Sequence, residues 1–180
     1  NDNIFKTFGK TDIYCIYKPI PITILFYSVK FLSELKLKLN GFKKYYSPKT
    51  NICYWYKIKK DSKSDPLMFF HGLGIGIIPY LNFIIEMSNN ITVICPVLPN
   101  ISNVYFHPLK FNLCNNDFFP NFSLIKNEID QILSLHKINS INIIGHSFGT
   151  FILSSLLLSS SLRHRIKEKI FIDPVCFHSN

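Results

Sequence analysis

The chain has 180 residues, 47% of them hydrophobic, and a formal net charge of +9. That is enough apolar chain for one buried core, which excludes wholesale disorder, and it is short for two domains. Seven glycines without a period exclude collagen, and five cysteines with no C-x-x-C exclude a disulfide scaffold.

The palette is skewed: 27 Ile, 18 Lys, 17 Asn and 17 Phe stand against no Ala and two Arg. A+T-rich coding sequence produces such a bias, so lysine abundance alone does not imply nucleic acid. The charge is also uneven. Residues 1–65 carry thirteen Lys against five acids, whereas residues 66–180 carry seven Lys or Arg against six acids. With two arginines and no recognition motif, no nucleic-acid partner is expected. Cys15, Cys53, Cys95, Cys114 and Cys176 are odd in number, and no signal-peptide layout opens the chain. Reduced thiols in an intracellular setting are the expectation.

Residues 1–50 read as a basic extension and residues 51–180 as the folded domain. Within the extension, residues 22–39 predict an amphipathic helix presenting Leu25, Val29, Leu32, Leu35 and Leu39, with Asn40-Gly41 as its stop. That face either packs on the domain or rests on a membrane surface. The apolar run 19–29 spans eleven residues with two prolines, too short to cross a bilayer.

From residue 52 the pattern is strand, then helix, repeated. Residues 52–59 are aromatic and β-branched and predict a strand. Residues 67–70 form a short continuous apolar run, the mark of a strand buried on both faces. Glycines follow at 72, 74 and 76, then a helix from about Pro79, which suits a first helical turn. A second buried strand is expected at 91–95, closed by Pro96, before an irregular loop over 97–120. Residues 122–136 predict a helix, 141–144 a strand, 150–158 an apolar helix and 170–172 a last strand. This alternation predicts an α/β domain with a mostly parallel sheet.

The most informative residues are Gly145-His146-Ser147-Phe148-Gly149, a G-x-S-x-G between a buried strand and an apolar helix. That context is what a nucleophile elbow requires: a tight turn lifts Ser147 clear, and small neighbours at 145 and 149 prevent clashes. A phosphate-binding turn is the competing idea, but neither G-x-x-x-x-G-K-[ST] nor G-x-G-x-x-G opens this helix. Earlier, His71-Gly72-Leu73-Gly74 follows directly on a strand. Acyl transfer develops an oxyanion, and backbone N–H groups placed in advance stabilise it. The expected donors are the amides of Leu73 and Phe148.

The ordered pair H-G-L-G and G-H-S-F-G resembles the α/β-hydrolase superfamily over about residues 50–178. The resemblance implies an α/β-hydrolase fold with helices on both faces of the sheet. It also implies a serine nucleophile at Ser147, oxyanion-hole positions at Leu73 and Phe148, and an esterase- or lipase-like activity. The stretches Pro99-Asn100-Ile101-Ser102 and Ile172-Asp173-Pro174-Val175 look like a poorly characterised eukaryotic branch. The superfamily orders its triad Ser, acid, His. Asp173, in an Asp-Pro pair 26 residues after Ser147, resembles the acid of pancreatic-type lipases. In most members the acid comes one strand later, and Asp173 would then only end a strand.

No histidine fits the base. His178 lies five residues beyond Asp173, His146 belongs to the elbow, and His107, His136 and His164 come too early in the chain. The expectation is therefore a chain lacking its last strands and base, inactive in isolation. No cofactor and no metal is expected, because no histidine pair has ligand spacing. Two functional readings remain: a serine hydrolase with a small-molecule or lipid-like acyl substrate, and an inactive binding protein on the same fold.

Overall fold

The computed structural model describes residues 20–47, 52–98, 101–102 and 121–176. Its strands are β1 (Lys43–Tyr46), β2 (Cys53–Lys57), β3 (Leu67–Phe70), β4 (Val93–Val97), β5 (Ile141–His146) and β6 (Ile166–Ile172). Its helices are α1 (Ile20–Leu39), α2 (Leu81–Met87, after a 3-10 turn at Ile78–Tyr80), α3 (Phe122–Leu135), α4 (Gly149–Leu157) and α5 (Ser160–Arg163). The strands form one sheet in the order β1-β2-β4-β3-β5-β6. β1, β2 and β4 pair antiparallel, while β4, β3, β5 and β6 pair parallel.

The continuous apolar runs mean what the sequence implies. All four residues of β3 and all five of β4 are buried, because both faces of the sheet are covered. Successive side chains alternate between two cores. Tyr54, Met68, Phe70, Ile94 and Ile143 meet α3 and α4 through Ile129, Ile132 and Leu153. Trp55, Leu67, Phe69 and Ile144 meet Leu37 of α1 and Ile84 of α2 on the other side. α3 starts where Asn121 caps it, its side chain accepting from the Ser123 and Leu124 amides.

Three expectations are corrected. The face of α1 that packs is not the predicted one: Ser33 and Leu37 are buried, whereas Leu25, Leu32, Leu35 and Leu39 are exposed. Apolar residues fall on several faces of the helix, so spacing alone carries no phase. Pro96 does not close β4 but lies inside it, opposite Tyr54. The ladder to β3 reaches only Ile94, so β4 is an edge there and tolerates the missing N–H. Third, β1 lies within the segment read as an extension, yet it is a strand of the sheet, and nearby Phe42 is in the core.

The residues just before the parallel strands tie that edge of the sheet together. Asp65, ahead of β3, accepts from the Ser140 hydroxyl and pairs with Lys167 at 2.9 Å. The hydroxyl and the ammonium hold its carboxyl below the ordinary value. Arg165, ahead of β6, pairs with Asp130 at 2.6 Å and bonds the Ile138 carbonyl. Cys53, Cys95 and Cys176 are free thiols. Burial pushes Cys53 up to about 11 and Cys95 higher, so neither is a reactive thiolate.

Candidate active site

Parallel pairing aligns the carboxyl ends of β3, β5 and β6, with Phe70 opposite Gly145 and His146 opposite Ile172. The residues that follow, His71, Ser147 and Asp173, therefore leave the sheet along one edge. Ser147 sits between β5 and α4 at φ 50, the left-handed region that side chains rarely enter. Its amide donates to the Ile172 carbonyl at 2.9 Å. Its own carbonyl accepts from the Thr150 amide at 2.9 Å and the Thr150 hydroxyl at 2.6 Å. The strain is thus held by hydrogen bonds on both sides.

Packing explains both glycines. A Cβ on Gly149 would lie 2.3 Å from the Phe70 carbonyl oxygen, and one on Gly145 would lie 2.7 Å from the Gly149 oxygen. α4 can start directly against β3 and β5 only because these side chains are absent.

The glycine loop reaches the same point. A Cβ on Gly72 would lie 3.1 Å from both Ser147 Cβ and His146 Nδ1, and 3.3 Å from the Tyr80 hydroxyl. The loop after β3 is therefore pressed against the serine. Leu73 follows on the outside and is exposed, while Phe148 is buried. Gly74, at φ 132, donates to the Ile101 carbonyl at 2.9 Å and bridges to Ser102.

His71 is fully buried and explains how the loop keeps its shape. Its Nε2 accepts from the Leu98 amide at 3.2 Å, so the ring proton is on Nδ1, which donates to the Gly72 carbonyl at 2.8 Å. The Gly72 carbonyl and the Leu73 N–H share one planar peptide, so fixing the first aims the second. His146 is engaged as well, its Nδ1 hydrogen-bonded to the Tyr80 hydroxyl at 2.8 Å. Burial raises the Tyr80 hydroxyl above its ordinary value. Sequence reasoning missed Tyr80 and the Gly74–Ser102 bridge, because both are contacts between segments far apart in the chain.

Burial lowers the His71 pKa from 6.5 to about 4. Below the ordinary value the unfolded imidazole takes up a proton that the native one refuses. This contribution to stability is complete above about pH 6.5 and is lost as pH falls toward 4. Urea titrations should show stability falling from neutral pH to about 5, less steeply in His71→Phe. Equal slopes would contradict the assignment.

Asp173 is exposed at the end of β6 with φ 47, directly after the residue whose carbonyl accepts from Ser147. Among the other histidines, His136 bonds Tyr54 at 2.9 Å and His164 ends α5. His107 and His178, with Cys15, Cys114, Pro99 and Asn100, lie outside the described residues. No group of three or more metal-binding side chains occurs among the described residues.

No family model and no curated protein matches the chain. Solved structures do. The carboxylesterase CesB from Bacillus subtilis superposes with a TM-score of 0.61 at 13% identity, over 86% of this chain and 50% of its own. The naproxen esterase of Bacillus subtilis gives 0.60 at 18% identity, over 81% of this chain and 47% of its own. A bacterial membrane phospholipase A gives 0.57 at 14% identity, over 84% and 47%. The chain spans about half the length of these proteins. With its mostly parallel mixed sheet and its likeness to these solved structures, the chain has the α/β-hydrolase fold.

Proposed function

We propose that the protein is a serine hydrolase acting on an ester or similar acyl substrate, with Ser147 as nucleophile. The observation that carries this reading is Ser147 at φ 50 with Gly72 packed against its Cβ. Such strain is kept at a turn only where surrounding contacts enforce it, and here a glycine loop with a fixed peptide faces the same side chain. Solved structures of similar fold bear esterase and phospholipase names, which supports acyl chemistry.

In this reading Ser147 Oγ attacks the substrate carbonyl carbon, and the carbonyl oxygen becomes an oxyanion. The Leu73 and Phe148 amides receive it, stabilising the transition state by about 3–4 kcal/mol per donor. Asp173 is proposed as the acid that orients the base, with the base histidine outside these 180 residues. The histidines at the site have other tasks: His71 holds the loop peptide and His146 holds Tyr80. The exposed Leu73 favours an apolar acyl group beside the serine.

A fluorophosphonate probe reports an activated serine directly. Full-length protein should be labelled, and Ser147→Ala should lose the label while keeping its melting temperature. Equal labelling of both forms would reject Ser147 as the nucleophile.

A further inference from the structure

Among the described residues, α1 is fastened to the domain through the side that carries Ser33 and Leu37. Leu37 and Ser33 are buried there, Glu34 pairs with Lys44 at 2.9 Å, and Lys36 reaches Asn82 at 2.7 Å. On the opposite side Ile24, Leu25, Phe31, Leu32, Leu35 and Leu39 stand in solvent, with Phe31 at 66% and Leu39 at 78% exposure. At 3.6 residues per turn these six fall within an arc of about 100–120°. The outward side of this helix is thus more apolar than the side that packs. A contiguous exposed apolar face marks an interaction site.

Its chemistry narrows the occupant. No acid lies on the arc: the helix's single carboxylate is Glu34, which is on the packed side with Lys44. Lys36 and Lys38 flank the arc in the last turn, and Lys43 follows in β1. Residues 20–65 hold ten lysines against three acids. Apolar residues rimmed by lysine complement a surface with an apolar interior and anionic headgroups. Self-association fits poorly, since two such arcs face to face would bring lysines together with no acid between them. No helix among the described residues is long and apolar enough to cross a membrane.

We propose that α1 seats the protein on an anionic bilayer, lying along the surface. The six apolar side chains enter the boundary between headgroups and acyl chains, and Lys38 sits at phosphate level. This goes beyond the hydrolase reading and does not depend on it.

Vesicle co-sedimentation tests it with full-length protein, comparing phosphatidylcholine vesicles with and without phosphatidylserine. Phosphatidylserine vesicles should retain the protein, added salt should weaken retention, and Phe31→Glu/Leu32→Glu should cut partitioning about tenfold or more without lowering the melting temperature. Three results would overturn the proposal. The first is no retention of the parent protein, or equal retention of the variant. The second is a melting temperature lowered by the variant, meaning the protein's own chain covers the face. The third is conversion of an oligomer to a monomer, meaning a second copy does.

Discussion

Ser147→Gly is expected to be catalytically dead and yet more stable than the parent by about 0.5–1 kcal/mol. The two effects share one cause. At φ 50 a side chain is strained against its own backbone, and glycine is not. Glycine's extra freedom in the unfolded chain offsets part of that relief, which keeps the gain modest. Ser147→Ala separates the contributions, because it removes the hydroxyl but keeps the Cβ. It should be equally inactive, with turnover down by about four to six orders of magnitude, and close to the parent in stability. Chemical denaturation of the three forms should rank glycine above alanine and serine. If glycine proves the least stable, the strain does not reside at this residue.

Gly149→Ala should fail in the opposite way, by losing the fold. The added Cβ would stand 2.3 Å from the Phe70 oxygen and 2.8 Å from the Phe70 carbonyl carbon, both backbone atoms of a buried strand. No rotamer relieves such a contact, so α4 must move away from β3 and take Ile152 and Leu153 out of the core. A loss of about 3 kcal/mol or more is expected, a large share of the 5–15 kcal/mol that holds a typical domain together. Gly72→Ala is the control at the same site. Its Cβ meets side-chain atoms at 3.1–3.3 Å rather than backbone, so stability should suffer much less. Melting temperatures measured side by side decide the matter, and a Gly149→Ala protein melting like the parent would refute the packing argument.

What was legible in the sequence was whatever is encoded locally. β3 and β4 are short runs with no polar residue on either face, a pattern only doubly covered strands can show. The tight turn at Ser147 was legible because it demands small residues at fixed offsets, here Gly145 and Gly149. What stayed hidden depends on contacts between distant segments. β1 has the sequence KKYY, which announces a strand only once β2 lies beside it. Tyr80 gives no local sign that it holds His146 across 66 positions of chain. His71 was legible as part of a motif, but its role required seeing Leu98 on its other nitrogen. The orientation of α1 failed for a different reason, since isoleucine and leucine occupy so much of the helix that several faces fit the same periodicity.

The two ends of the parallel strands have different tenants. Before the strands stand Asp65, which accepts from Ser140 and pairs with Lys167, and Arg165, which pairs with Asp130. After the strands stand His71, Ser147 and Asp173, two of which hold unusual backbone angles. A substitution in the first group acts on the fold away from the serine turn, while one in the second group acts at the turn and, for the buried His71, on stability as well. The serine turn and the ion pairs of Asp65 and Arg165 thus stand at opposite ends of the same parallel strands, out of each other's reach.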